Sequence, residues 1–325
     1  MPRATGEAMV ASAVAGARED LAAADLYRRL LARCRATLTT LPDKPEETPE
    51  TTLRALWHLA AGVPLSAHAA ASATPMPLDS GQVARLERLL EARLRGTPLA
   101  HLTGRQRFFG LELLAGPEAL IPRAETELLV AVALERVRAA VAARGTALVV
   151  DVCTGSGNVA LALAANAPRA TVYAADLSSA AVDLARRNAV RLGLHERVEV
   201  RVGDLLTPFE EPGFLGQVDV LTCNPPYISE ARVDRMPPEI SRHEPRMAFD
   251  GGPFGVSILQ RLTRCARRFL RPGGWLVFET GAGQGGAMVR RLAANPDFAD
   301  VRSVAGPDGT VRVVLGQTTP AIGIA

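Results

Sequence analysis

The four residues Asn224-Pro225-Pro226-Tyr227 stand directly behind the apolar run Val218-Asp219-Val220-Leu221-Thr222-Cys223. Proline donates no backbone hydrogen bond and holds φ at about −65°, so a buried strand that meets two prolines turns out of the sheet. In open α/β sheets ligands bind at that C-terminal edge. The turn offers the amide oxygen of Asn224, the carbonyl of Pro225 and the ring of Tyr227, a set that suits a planar NH2 group, either an amide or the exocyclic amine of a base. The nitrogen of such a group is a poor nucleophile because its lone pair is delocalised. Two acceptors gripping its N–H bonds hold it in place and favour charge developing on it as a methyl group arrives, which is catalysis by positioning and electrostatics with no obligatory general base. Taken alone, the stretch also reads as a plain proline-rich turn.

A second constellation is spread over three strand ends. The apolar run 147–152 carries Asp151 and leads into Thr154-Gly155-Ser156-Gly157-Asn158. The next run ends in Asp176 followed by Leu177, and a third ends at Gly203-Asp204 followed by Leu205. Glycine lets the backbone come close to a ligand, and the following helix offers its N-terminal N–H groups. Asp176 is placed to take the two hydroxyls of a ribose, and Asp204 to meet an adenine edge. Only one G-x-G is present, where a dinucleotide asks for more glycines facing its phosphates. S-adenosylmethionine has no phosphate and needs only carboxylates and a close turn, so it is preferred over a nicotinamide cofactor. Capping of turns and helices is the structural alternative for Asp151 and Asp176. The four cysteines form no CxxC pair, and no His/Cys cluster has zinc-ligand spacing, so no metal is expected.

The elements that must position these groups follow from periodicity. From residue 147 onward strands and helices alternate: strands at 147–152, 171–176, 197–202, 218–223 and 275–279, the last behind Pro272-Gly273-Gly274, with helices at 159–165, 179–192 and 258–270. A final hairpin, 301–305 and 311–315, flanks Gly306-Pro307-Asp308-Gly309. This specifies an α/β fold with a mainly parallel sheet and an antiparallel pair at its end. Upstream, helices at 51–62 and 80–94 make a small helical domain, a short hairpin covers 107–121, and a helix runs over 125–143. The domain limits read as an N-terminal extension at 1–45, helical or flexible, the helical domain at 46–105, a hairpin linker at 106–123, the α/β domain at 124–317 and a tail at 318–325. Residues 43–50, prolines among charges, read as a linker.

With 325 residues and 48% hydrophobic content the chain is long enough for two domains. The net charge of +3 is modest and carried almost wholly by arginine, Lys44 being the single lysine, so no nucleic-acid footprint is indicated. The apolar run 9–17 lacks a cleavage signal, and no stretch approaches the ~20 apolar residues of a membrane span. Cys153 and Cys223 close buried strands, which favours reduced thiols in a cytoplasm.

At this point the residues resemble the HemK/PrmC family, methyltransferases that modify the glutamine amide of the Gly-Gly-Gln motif in peptide-chain release factors. The resemblance runs from about residue 50 to the terminal hairpin. It rests on Ile121-Pro122-Arg123-Ala124-Glu125-Thr126-Glu127, Asp151-Val152-Cys153-Thr154-Gly155-Ser156-Gly157 and Asn224-Pro225-Pro226-Tyr227-Ile228. Supporting matches are Gly96-Thr97-Pro98-Leu99, Glu244-Pro245-Arg246, Gly251-Gly252 with Gly255, and Phe278-Glu279-Thr280-Gly281 with Gln284. The resemblance implies a class I S-adenosylmethionine-dependent methyltransferase with a seven-stranded sheet, behind an all-helical domain that docks the release factor. It implies a substrate glutamine held by Asn224, Pro225 and Pro226 beside Tyr227, with Arg123, Glu125 and Glu244 in lid segments facing substrate and with Asn224 reaching the cofactor as well. A monomer acting on a protein, without direct nucleic-acid or membrane binding, is the corresponding expectation. Ala124, Cys153, His243 and Phe254 stand where the family has other residues, and the first 40 residues or so are extra. Other readings are a sibling enzyme acting on a different amide or amine, an adenine or guanine methyltransferase on nucleic acid, and a non-catalytic binding protein that keeps the fold. Against the nucleic-acid reading, Ile228 stands where such enzymes commonly carry Phe or Trp, and no extended basic surface is evident.

Overall fold

A computed structural model describes residues 4–41, 43–236 and 238–319, with the backbone alone for 4–20 and 238. Most of the expected C-terminal tail lies outside the described residues. The chain forms two compact units, Met1–Arg105 and Gln106–Ala325.

In the first unit a helix Ala4–Thr37 precedes helices Pro49–Ala60 and Ser80–Leu94 and two single-turn helices. Pro49 opens its helix because the first helical N–H has no partner to lose, and Thr48 caps it by accepting from the Thr51 N–H. Asp79 and Gln82 make a capping box for the next helix. Leu30, Leu53, Leu56, Trp57, Leu86 and Leu90 form the core. Residues 43–50, expected as a linker, are packed into this unit instead. Lys44 and Glu47 are buried, and Glu47 pairs with buried Arg93 at 3.4 Å.

Strands β1 (Arg105–Phe108), whose first residue closes the first unit, and β2 (Leu111–Leu114) are joined through Phe109 and Gly110, both at positive φ as a tight hairpin requires. A 3-10 turn Ala124–Thr126 leads into the helix Glu127–Arg144. Strands β3 (Ala147–Val152), β4 (Ala170–Asp176), β5 (Val198–Val202), β6 (Val218–Cys223), β7 (Leu270–Glu279), β8 (Phe298–Ala305) and β9 (Val311–Thr318) form one sheet in the order β5-β4-β3-β6-β7-β9-β8. The five strands β3 to β7 pair in parallel, and β9 runs antiparallel to both of its neighbours. This is the class I methyltransferase arrangement. Strand β7 starts before Pro272-Gly273-Gly274 rather than after it. Register shifts between Val218↔Leu270 and Val220↔Trp275, so the glycines form a bulge within the strand.

Alternating residues of the buried strands feed two cores. Val149, Leu129 and Leu161 lie on one face, and Val150, Leu221, Phe269 and Phe278 on the other. At the N-terminal edge Asp219, buried at 5% exposure, accepts from the Leu148 N–H at 2.7 Å and pairs with Arg144 and with Arg271, the latter at 2.9 Å. At the opposite edge the connections after β3 and β6 diverge to opposite sides of the sheet. Such a switch point opens a crevice for a ligand.

Candidate functional site

The crevice holds a cavity of about 300 Å³ whose wall includes Arg123, Thr154, Gly155, Asp176, Asp204 and Asn224. Its floor is the turn after β3. Cys153, Gly155 and Gly157 take φ of 58°, 56° and 81°, so the chain reverses over five residues and launches the helix Asn158–Asn166. A left-handed backbone is routine for glycine and uncommon for cysteine, which makes Cys153 the costly member. The Gly155 N–H donates to Asp176 Oδ2 and the Ser178 N–H to Asp176 Oδ1, each at 2.9 Å. Burial pushes the Asp176 carboxyl up, against the pull of these N–H groups. Each of its oxygens keeps a further lone pair for a donor from the cavity, which fits a diol.

Asp151 lies behind this wall rather than in it. It is 1% exposed, and its two oxygens accept from Thr154 Oγ1 at 2.6 Å and Thr222 Oγ1 at 2.7 Å. Burial raises it to about 7, the two hydroxyls pulling the other way. Ser156 and Gly157 are buried in the same turn, and Ser156 Oγ is buried without a hydrogen-bond partner. Leu177 and Leu205 line the cavity, and Leu177 is largely exposed. Asp204 pairs with Arg261 at the rim.

On the other side of the crevice, Cys223 ends β6 in register with Val152. Asn224 and Pro226 line the cavity, and Pro225 and Tyr227 are not among its lining residues. Asn224 Nδ2 donates to Thr126 Oγ1 at 3.0 Å, which leaves its Oδ1 as an acceptor. The Tyr227 hydroxyl donates to Glu279 Oε1 at 3.0 Å. Glu279 is 1% exposed and is raised to about 7 by burial, offset by hydrogen bonds from Thr126 and Tyr227. Burial and then the Glu279 charge push the Tyr227 phenol well above its ordinary value. Gln284 Nε2 donates to the Tyr227 carbonyl at 2.8 Å, and Gly255 packs so closely that a Cβ there would sit 2.2 Å from that oxygen.

The segments expected to cover the site are tied to each other. Glu244 Oε2 accepts from the Ile121 N–H at 2.9 Å and Oε1 from Arg123 at 2.5 Å. Arg123 reaches the cavity, while Glu244 is buried as its anchor. Glu125 lies outside the wall, paired with Arg312 at 2.8 Å. Sequence reasoning missed Thr126, Thr222, Glu279 and Asn188 as parts of the site. Buried Asn188 bonds the Leu114 N–H, the Leu114 carbonyl and the Ser156 carbonyl, and so ties the hairpin to the floor turn. A carboxylate closing β7, as Asp176 closes β4, and the resemblance of Phe278-Glu279-Thr280-Gly281 are the signals that pointed to Glu279. Among the described residues no cluster of three potential metal ligands occurs, and no helix is long and apolar enough to cross a membrane.

Residues 127–240 match the family model described as Methyltransferase small domain. A protein of Geobacter sulfurreducens named release factor glutamine methyltransferase is 37% identical over 241 residues, 74% of this chain and 80% of its own length. The chain belongs to the release factor glutamine methyltransferase family. Relatives of the same name in Streptomyces coelicolor and Xylella fastidiosa are 42% identical over 68% of this chain and 76% of theirs, and 40% identical over 74% and 84%. The chain is therefore a methyltransferase, and the adenine or guanine alternative is not favoured by these family relatives.

Proposed function

We propose that this chain transfers a methyl group from S-adenosylmethionine to the side-chain amide nitrogen of the glutamine in the Gly-Gly-Gln motif of a peptide-chain release factor. The observation that carries the reading is Asn224. Its Nδ2 is engaged by Thr126, so an acceptor oxygen is presented at the wall of a cavity that Asp176 and the floor turn also form. When bound, S-adenosylmethionine supplies an electrophilic methyl group on a sulfonium. Asp176 would take the ribose hydroxyls, Thr154, Gly155, Ser156 and Gly157 would shape the floor with Asp151 holding Thr154 from behind, and Leu177, Asp204 and Leu205 would border the base. Asn224 Oδ1 and the Pro225 carbonyl accept the two N–H bonds of the glutamine, with Pro226 and Tyr227 fixing the plane in which it lies. These acceptors would meet the positive charge that develops on the glutamine nitrogen as it gains the methyl group, and one N–H proton would then leave to water. Arg123, held by Glu244, and Glu125 border the entrance for the substrate.

The helical residues 46–105 serve to dock the protein substrate, ahead of a hairpin linker at 106–123 and the catalytic domain at 124–317. We place the enzyme in the cytoplasm, acting as a monomer without direct nucleic-acid binding. The test is incubation of purified release factor with labelled S-adenosylmethionine, followed by mass mapping of the product. Label on the Gly-Gly-Gln glutamine, reduced roughly 10²-fold in Asn224→Ala with cofactor affinity retained, is the expected result. Label elsewhere, or full turnover by a folded Asn224→Ala, overturns the reading.

A further inference from the structure

An Asn side chain and a Thr hydroxyl can bond in two senses. The hydroxyl can accept from Nδ2 or donate to Oδ1, and the pair alone does not decide which atom of Asn224 faces the cavity. The decision lies one residue further back. Thr126 is buried, and its hydroxyl lies against both Asn224 and the Glu279 carboxylate. An ionised carboxylate is an acceptor only. Glu279 accepts the Tyr227 hydroxyl on Oε1, while its Oε2 is buried without a hydrogen-bond partner and is the acceptor toward which the neighbouring Thr126 hydroxyl turns. With the Thr126 proton drawn to Glu279, Thr126 Oγ1 can only accept. Asn224 must then give it an N–H and turn Oδ1 outward.

We infer that Glu279 is a positioning residue for the methyl transfer: acting through Thr126, it sets the sense of the Asn224 amide so that an oxygen rather than an NH2 faces the acceptor nitrogen, and it fixes Tyr227 by the same means. The inference rests on the amide-holding role of Asn224 proposed above. It differs from a structural role in being reversible by a proton. Once protonated, Glu279 can donate to Thr126, whose hydroxyl is then free to donate to Asn224 Oδ1 and turn the NH2 toward the cavity, where it repels a substrate NH2. The charged and titratable groups facing Glu279 are Tyr227, Glu125 and Arg312, of which the last two pair with each other. Burial places its titration at about 7, within the range where the switch can be read.

The experiment is the pH profile of kcat on release factor at saturating cofactor, for wild type, Glu279→Gln, Thr126→Ser, Thr126→Val and Asn224→Ala, with cofactor Kd and melting temperature measured on each. Wild type is expected to lose kcat as pH falls through about 7. Glu279→Gln can present either an oxygen or an NH2 to Thr126, so it is expected to lose about 10-fold or more in kcat at pH 8, with cofactor Kd within about threefold and no acid limb. Thr126→Ser keeps the hydroxyl and is expected to retain both rate and limb, whereas Thr126→Val loses both. Where Glu279→Gln does not fold, the two Thr126 variants carry the decision. A folded Glu279→Gln that keeps the wild-type rate and acid limb overturns the inference, as does a fully active Thr126→Val, and the limb then belongs to buried Asp151. If Asn224→Ala itself keeps full turnover, the amide-holding reading fails rather than the network argument built on it.

Discussion

Asp176 offers the sharpest quantitative test of the cofactor site. Each of its oxygens already accepts one backbone N–H at 2.9 Å, from Gly155 and from Ser178, and each retains one lone pair toward the cavity. Hydrogen bonds to a charged group contribute about 1.5–3 kcal/mol. Two ribose hydroxyls sharing one carboxylate do not add independently, so Asp176→Ala is expected to weaken S-adenosylmethionine by about 1.5–3 kcal/mol, or roughly 10- to 150-fold in Kd at 1.4 kcal/mol per decade. Asp176→Asn keeps one acceptor but sets an NH2 against a backbone N–H, so its Kd falls between wild type and Ala. Titration calorimetry of the folded proteins reads the affinity, and thermal melting without cofactor separates it from the two N–H groups left without acceptors. A Kd for Asp176→Ala within threefold of wild type, in a protein that melts normally, refutes the diol assignment.

Gly255→Ala adds a methyl that meets the Tyr227 carbonyl at 2.2 Å, on a residue whose φ of 69° itself disfavours a Cβ by about 1–2 kcal/mol. Its melting temperature and kcat are expected to fall together, while a variant as active and stable as wild type shows that the 224–227 turn does not need this close packing. The buried Asp151 holds its proton to about 7 in the fold, against an ordinary 3.8, so between those values the native state binds a proton that the unfolded chain has released. Ligand-free stability therefore declines as pH rises from about 4 to 7. Denaturant titrations across that window are expected to show a shallower decline in Asp151→Asn, with Glu279, raised to about 7, and Asp176, also raised by burial, contributing in the same direction.

The strands and their order were largely legible because each parallel strand is an apolar run ended by a glycine, an acid or a proline, and all three endings mark the same sheet edge. Asn224, Asp176 and the 153–157 turn were legible for that reason. What stayed hidden were contacts between residues far apart in the chain. Thr126 reads as part of a charged helix start, and nothing local says that Asn224 will donate to it across 98 positions. Asp151 was correctly read as a carboxylate at a strand end, but only the register of β3 with β6 puts Thr222 beside it and turns it away from the cavity. Residues 43–50 misled for the opposite reason. Prolines and charges signal solvent when read one at a time, and the pairing of Glu47 with Arg93 lies 46 residues away.

Asp219 has a consequence for how reliably this protein assembles. Adjacent parallel strands can pair in several offsets that bury similar amounts of Val and Leu, and hydrophobicity alone discriminates weakly among them. The correct offset of β6 brings one carboxylate to Arg144, Arg271 and the Leu148 N–H together. A slip by one residue leaves that charge buried without partners, at a cost of several kcal/mol, and turns every side chain of the strand to the opposite face. A misaligned chain is therefore expelled and tries again, so an ion cluster at the edge remote from the chemistry acts as a proofreader for where Asn224 will finally stand.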